Sequence, residues 1–458
     1  MMDTKAVQEP GKRQHPWRWI PTLYFGQGIP YVAVMILSVI MYKNLGLSNT
    51  DIALYTSWLY LPWVIKPLWS PVVDMFKTKR YWIVTLQLVI GASLALVALT
   101  IPTTHFFQIT LAVFWLMAFS SATHDIAADG FYMLALEQHQ QAAFVGVRST
   151  FYRIAMIAGQ GGLVFLAGKI SEQTGNVSLA WSIIFFILAG MFIALSVYHR
   201  FVLPVPASDQ PMLRGVESGS EVIRGFVDTF KAFFKRKDIF VILAFLLLFR
   251  FGEAQALKLV APFLLDPAVK GGLGLTTSQV GLVYGTIGVI ALTLGGLLGG
   301  YAISRHGLKR WIWPMLLAVH LPNLAFVFLA YAMPESVVVI ATAIAIEQFG
   351  YGFGFAAYLL FMIMVADGAH KTAHYAICTG FMALGMMLPG MVSGWLQTQL
   401  GYANFFIWVC VATILKLPLD TTQHKPASPY AVSVAQRAMR SSCAVERGAR
   451  NQALTASS

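Results

Sequence analysis

Twelve apolar stretches, each long enough to cross a ~30 Å hydrocarbon core at ~1.5 Å of helical rise per residue, constrain this chain more than any other feature. They run at about 20–42, 52–74, 81–101, 106–135, 144–167, 178–199, 239–264, 278–303, 311–333, 336–366, 374–398 and 402–419. Backbone polar groups inside a bilayer must be satisfied within the protein, so stretches of this length read as helices of an all-α integral membrane protein. Composition agrees: 57% of residues are hydrophobic and 11% charged, where a soluble domain carries roughly 25% charge. The first stretch is long, and no small-residue cleavage pattern follows it. It reads as a retained anchor.

The chain also repeats itself. Ser70-Pro-Val-Val-Asp74-Met-Phe-Lys77-Thr-Lys79-Arg80 closes the second stretch, and Gly300-Tyr-Ala-Ile-Ser304-Arg305-His-Gly307-Leu-Lys309-Arg310 closes the eighth. At nearly the same offset, Leu45-Gly-Leu-Ser-Asn-Thr-Asp-Ile matches Leu273-Gly-Leu-Thr-Thr-Ser-Gln-Val, and Phe25-Gly26-Gln27 matches Phe251-Gly252-Glu253. Ala128-Asp129-Gly130 likewise matches Ala366-Asp367-Gly368. These correspondences predict two pseudo-symmetric six-helix halves, 20–199 and 239–419, joined by a central loop at 200–238 and flanked by tails at 1–19 and 420–458. Two related membrane halves around a central cavity form the plan of a secondary transporter.

Lys and Arg set the expected orientation. With the N-terminus inside, the cytoplasmic face takes Lys5, Lys12, Arg13, Arg18, Lys77, Lys79, Arg80, the basic central loop, Arg305, Lys309, Arg310, Lys371 and the tail. The opposite face keeps Lys43, Lys169 and Lys270. Positive charge gathers on cytoplasmic loops, so both termini are expected inside. The net charge of +12 is a topology signal and not a nucleic-acid footprint, because the basic residues form no single stripe.

The central loop has two parts. Pro204 to Gly219 is rich in Pro, Gly and Ser and reads as linker. Beyond it, Ile223, Phe226, Val227, Phe230, Phe233 and Phe234 recur at helical spacing among Arg224, Lys231, Lys235, Arg236 and Lys237. That pattern fits either a helix lying in the inner interface against anionic lipid or a plain basic connector. Residues after about 421 lack an apolar period and are expected to be disordered. Cys378, Cys410 and Cys443 have no paired spacing, and the first two read as apolar packing. No metal or cofactor is called for. Glycines crowd the fifth, eighth and eleventh spans and suit either tight packing or a rocking surface. Pro21, Pro30 and Pro389 are expected to bend their helices, and Trp17 and Trp19 to anchor at the interface.

Charges inside the spans carry most of the functional information, since each costs on the order of 2.5–3.5 kcal/mol at the bilayer centre without a partner or a watery cavity. In the fourth span, Asp125 and Asp129 stack one helical turn apart beside His124. Arg153 in the fifth span reaches a similar depth from the cytoplasmic side. These four are the candidate proton-coupling residues, with a fixed Arg–Asp pair locking two helices as the alternative. The candidate substrate-binding residues are Gln27, Lys66, Arg250, Glu253, Lys258, Glu347 and Gln348, spread over the first, second, seventh and tenth spans. Positive charge at mid-depth suits an anionic solute, and carboxylates suit protons or sugar hydroxyls. A structural Arg250–Glu253 pair is the plain alternative. Asp74, Lys77, Lys79, Arg80, Arg305, Lys309 and Arg310 are the candidate gating residues of the two repeated loops.

Those loops resemble the G-x-x-x-D-R-x-G-x-(R/K)-(R/K) cassette of the major facilitator superfamily, with Ser70 in place of the first Gly and Ser304 in place of the Asp. Gly28-Ile-Pro30, Leu61-Pro-Trp-Val-Ile-Lys66-Pro67-Leu-Trp69-Ser-Pro71-Val-Val-Asp74 and Ala122-Thr-His-Asp125-Ile-Ala-Ala-Asp129-Gly resemble the AmpG-type anhydromuropeptide permeases and their relatives, the acetyl-coenzyme A transporters. Phe249-Arg-Phe-Gly-Glu253-Ala, Ala261-Pro262-Phe-Leu-Leu-Asp266 and Glu347-Gln-Phe-Gly-Tyr-Gly-Phe-Gly354 extend the resemblance over roughly 17–419. The family usually has Gln where His124 stands, and commonly carries extra C-terminal spans.

The resemblance implies a major facilitator fold and a monomeric permease of the inner membrane, surrounded by lipid. It also implies proton-driven import of a cell-wall turnover product, GlcNAc-anhydroMurNAc with or without peptide. The residues by themselves indicate a proton-coupled carrier of a polar, anionic solute. A coenzyme A ester, another sugar or a siderophore-like compound is the nearest rival solute. A drug antiporter fits less well, as the fifth span lacks a Gly-Pro pair. An intramembrane enzyme fits least, because an aspartyl dyad needs carboxylates converging from separate helices, and no zinc or Ser-His signature is present.

Overall fold

The computed structural model describes residues 15–210, 219–236, 238–368 and 370–414. The expectations for Lys5, Lys12, Arg13, Lys237, Cys443 and the disordered tail fall outside them. The side chain of Asp74 also lies outside what is described.

The described residues are largely helical, with no strand among them. The N-terminal half comprises α1 (Pro16–Asn44), α2 (Asn49–Trp58), α3 (Leu61–Met75), α4 (Lys79–Thr100), α5 (Phe106–Ala135), α6 (Gln138–Thr174) and α7 (Val177–Val202). After α8 (Gly219–Phe234) come α9 (Ile239–Leu265), α10 (Thr277–His306), α11 (Leu308–Ala332), α12 (Val337–Val365) and α13 (Lys371–Ile414). Among the described residues, ten helices are individually long and apolar enough to cross a membrane. α2 and α3 together occupy the second expected span. α13 has 44 residues, roughly 66 Å of helix and twice a bilayer's thickness; it turns at Gly401 (φ 71°), so its two legs occupy the eleventh and twelfth.

Several of these helices are broken where the sequence suggests continuity. The second span parts at Leu59 and Tyr60 because Pro62, near the start of α3, has no N–H to continue the ladder. The seventh leaves helical geometry at Arg250 (φ −106°, ψ 11°). Pro21 begins a helix and bends nothing, whereas Pro30 precedes a wide π-turn at Ala33–Leu37. Trp17 is exposed, but Trp19 is fully buried, its ring edge-on to Phe131 at 5.3 Å, so it packs and does not anchor.

Within the halves α4 packs on α5 and α7, and α10 on α12. Between them α6 meets α10, and α13 meets α2 and α3. Those two contacts exchange under the repeat, since α10 corresponds to the second span and the first leg of α13 to the fifth. The seams are lined by glycine. Gly161, Gly168, Gly281 and Gly285 join α6 to α10, and Gly380, Gly390 and Gly394 join α13 to α2 and α3. A Cβ at Gly285 would overlap the Gln160 carbonyl, and one at Gly394 would overlap that of Asn49. Gly295 and Gly299 face α12 inside the C-terminal half, so the eighth span's glycines divide between the two faces. Backbone cannot step aside as a side-chain tip can. Gly285→Val is therefore expected to separate α6 from α10, losing roughly 1–3 kcal/mol or more of stability, read as a lowered melting temperature in detergent.

The two ends of the bundle differ. At the far end, away from Pro16, Lys43 Nζ of α1 lies 2.7 Å from Asp266 Oδ1 just past α9. Asn49 donates to Gln397 Oε1 (2.9 Å) and to the Tyr402 hydroxyl (2.8 Å), and Tyr402 donates to Asp266 Oδ2 (2.7 Å). Thr277 donates to Asn44 Oδ1 (3.1 Å) and Ser278 to Glu172 Oε1 (2.5 Å), so both seams are closed here. At the near end most of the first three turns of α6 are exposed or half-buried. α8 docks there with Phe233 buried and ring-packed on His374 at 5.5 Å, while Val227 and Phe234 stay exposed. It is a helix, as one of the two readings expected, with one face turned to the protein.

Candidate functional site

The carboxylates of α5 have separate partners. Asp125 Oδ2 lies 3.7 Å from Lys66 Nζ of α3 and accepts from Trp63 Nε1 at 3.2 Å. The Gln27 side chain lies close enough to act electrostatically on the same carboxylate, and its carbonyl oxygen is buried with no partner among the described residues. One turn away, Asp129 Oδ1 lies 2.9 Å from Arg148 Nη2, whose guanidinium stacks over the rings of Tyr24 (4.6 Å) and Tyr132 (5.3 Å). Asp125 and Lys66 are 15% and 28% exposed, Asp129 and Arg148 40% and 30%, so the second pair is the more open of the two.

Arg153, the expected partner, is elsewhere. Its Nη1 lies 3.5 Å from Thr293 Oγ1 on α10, across the seam between halves. Five residues turn a helix by roughly 140° beyond a full turn, so Arg148 and Arg153 cannot share a face. His124 is fully buried, and its Nε2 meets Gln87 Nε2 at 3.2 Å. Gln87 Oε1 meets His199 Nδ1 at 2.9 Å, and His199 Nε2 meets Thr22 Oγ1 at 2.9 Å. This polar chain ties α5, α4, α7 and α1 together behind the aspartates.

In the C-terminal half the break at Arg250 lets its side chain run three residues along to Glu253. The pair is bidentate, Nη2 to Oε1 at 2.6 Å and Nε to Oε2 at 3.2 Å. Arg250 Nη2 also donates to the Tyr351 hydroxyl at 2.7 Å and faces the Phe355 ring at 5.1 Å. Glu347 accepts from Gln348 Nε2 at 2.8 Å, and both are buried. Lys258 is buried too, donating to Thr56 Oγ1 of α2 at 3.0 Å.

Aromatic side chains fill the space between these groups. Tyr31 packs edge-on to Trp63 at 5.6 Å, within electrostatic reach of Tyr60, Tyr152, Tyr284 and Tyr351. Sequence reasoning gives none of these residues a site role, nor Arg148. A tyrosine in an apolar span carries no charge to mark it, and only the meeting of five helices makes these a group. The arrangement combines ion pairs with polar-tipped rings, a surface suited to a hydroxyl-rich, charged solute.

The repeated loops make their described contacts inside their own halves. Asp209 Oδ1 and Oδ2 accept from the backbone N–H of Lys79 (2.7 Å) and Arg80 (3.0 Å), capping α4. Lys77 sits in a left-handed turn (φ 62°) with its ammonium 5.7 Å from the Tyr81 ring. Arg305 Nη1 donates to the Tyr301 hydroxyl at 2.6 Å, and Lys309 and Arg310 lie in the first turn of α11. Asp209 and Leu203, which hold the first loop, are invisible to sequence reasoning because they come from the distant linker.

The Major Facilitator Superfamily model matches residues 22–372. The chain is 25% identical over 405 residues to the putative transporter AmpG 4 of Rickettsia conorii, covering 84% of this chain and 91% of that one. It is 24% identical over 358 residues to the anhydromuropeptide permease of Escherichia coli K12, covering 77% and 68%. Its fold is similar to the nucleoside transporter NupG (TM-score 0.67, 17% identity, 89% and 99% covered) and to a D-xylose–proton symporter (TM-score 0.64, 12% identity, 88% and 96% covered). Two repeated helical halves, a polar centre between them and a family match over most of the chain lead to one conclusion: this protein is a multi-pass membrane transporter belonging to the major facilitator superfamily, similar within it to the AmpG-type permeases.

Proposed function

We propose that the protein imports an anionic sugar derivative of the cell wall, an anhydromuropeptide, across the inner membrane with protons, its near end and both termini in the cytoplasm. The observation that carries this reading is Asp125, a largely buried carboxylate held between Lys66 and Trp63. A proton on Asp125 cancels its attraction to Lys66 and frees the lysine for solute, which links protonation to binding. Asp129, one turn nearer the cytoplasm, passes the proton on, with Arg148 staying charged as its counter-ion. The similarity to an anhydromuropeptide permease supports the substrate class, and the tyrosine-rich centre supports sugar rings. Lys79, Arg80, Arg305, Lys309 and Arg310 then close the cytoplasmic end in the opposite state. Proteoliposome uptake of labelled GlcNAc-anhydroMurNAc, with and without an imposed pH gradient, tests the proposal. Accumulation only with the gradient supports it, while uptake of a coenzyme A ester or a neutral sugar in its place replaces the substrate.

Arg250 and Glu253 enter as a preformed pair that presents Tyr351 to solute. Removing one member of a buried pair costs roughly 3–5 kcal/mol, because the other charge is stranded. Arg250→Ala is therefore expected to lower both melting temperature and solute affinity. The double variant Arg250→Met/Glu253→Leu is expected to recover stability without recovering affinity. Recovery of both would make the pair purely structural.

A further inference from the structure

Four of the deep cations have a carboxylate: Lys43 has Asp266, Lys66 has Asp125, Arg148 has Asp129 and Arg250 has Glu253. Lys258 does not. It is 5% exposed, and among the described residues no carboxylate lies within ion-pair distance of its ammonium. Its partners are the Thr56 hydroxyl and the face of the Tyr60 ring, 5.1 Å from Nζ, both on the opposite half. The Thr56 hydroxyl proton is committed to the Ile52 carbonyl at 2.6 Å, leaving a lone pair for the lysine. A hydroxyl and a ring offset only part of the cost of burying an ammonium ion.

A second observation lies beside it. Ser57 is fully buried, and its Oγ has no hydrogen-bond partner among the described residues. Gly390 on α13 brings the two together: a Cβ there would touch both Ser57 Oγ and Lys258 Cγ. An uncompensated cation and an unused hydroxyl are thus neighbours at the meeting of α2, α9 and α13. Donors of this kind match an acceptor-only ligand with one negative charge. The place is two helical turns below Asp266, directly under the far-end closure and above the tyrosine cluster.

We propose that Lys258 and Ser57 form the subsite for the solute's carboxylate on the side from which it enters. When the Lys43–Asp266 contact parts, α2 and α9 separate and Lys258 exchanges the Thr56 hydroxyl for the incoming carboxylate, with Ser57 donating to the second oxygen. Closure returns Lys258 to Thr56 and releases the acid towards the near end. This assigns anion recognition to Lys258, because the fork of Arg250 is already filled by Glu253. It rests on the reading of the protein as a carrier of an anionic solute.

The test uses full-length protein in proteoliposomes and two probes, GlcNAc-anhydroMurNAc and its lactyl amide, which differ by one negative charge. Wild type is expected to prefer the acid. Lys258→Met should lose roughly tenfold or more of its apparent affinity for the acid and little for the amide, while Lys258→Arg retains the preference. Ser57→Ala should reduce it less. Lys258→Met should also melt higher than wild type, since it removes a buried charge with no carboxylate to neutralise it. Equal losses on both probes, or an unchanged acid preference in Lys258→Met, would overturn the subsite. Failure of wild type to take up either probe would instead overturn the muropeptide reading beneath it.

Discussion

Asp125→Asn should hold the solute at its equilibrium level however large the imposed pH gradient, while unlabelled-for-labelled exchange continues. The asparagine keeps an acceptor for Trp63 Nε1 and fills the same space, so folding is expected to survive. What disappears is the negative charge 3.7 Å from Lys66, and with it the link between a proton and the lysine's freedom to move. Asp129→Asn is expected to slow accumulation more than abolish it, because Asp129 is the more exposed carboxylate and water offers it an alternative route. Arg153→Ala, which leaves both aspartates with their own cations, should act instead on the α6–α10 seam through Thr293. Uphill accumulation by Asp125→Asn equal to wild type would end the coupling assignment.

The second large effect concerns the far-end closure. Asp266→Asn should shift the resting population towards a far-side-open form by about one to two orders of magnitude. The exchange keeps an acceptor for Tyr402 and Asn49 but removes the counter-charge of Lys43, whose side chain is only 12% exposed. The Lys43–Asp266 contact joins opposite halves and must part for this end to open, so its loss is a differential energy between states. A loss of about 1.4–3 kcal/mol at a half-buried pair corresponds to that shift. Thr56→Cys, beneath the closure, reports it through its rate of alkylation by an impermeant reagent from the far side. A Lys43→Asp/Asp266→Lys exchange should slow the labelling again. Labelling that stays at the wild-type rate in Asp266→Asn would mean that the glycine seams alone hold this end shut.

The twelve apolar stretches and the repeated loops by themselves require two helical halves in a membrane, for a simple reason. Hydrocarbon tolerates no unsatisfied backbone, so span length dictates helix, and a repeat of spans dictates a repeat of packing. The charged residues that interrupt those spans mark the cavity, since an ionisable group in a bilayer needs either a partner or water. Asp125, Lys66, Arg250, Glu253, Lys258 and Glu347 are all legible on that ground. The tertiary structure decided which of them meet. Periodicity orders side chains around one helix but says nothing about the azimuth of its neighbour. Sequence depth alone therefore points Arg153 at Asp125, whereas Lys66 and Arg148 are the cations on the aspartates. The same blindness hides the tyrosines around Tyr31, the Asp209 cap and the closeness of Ser57 to Lys258, because each depends on contacts between helices distant in the chain. Sequence determined that this protein encloses charge within a membrane; packing of the two halves decided which of the described cations meet a carboxylate and that Arg153 and Lys258 do not.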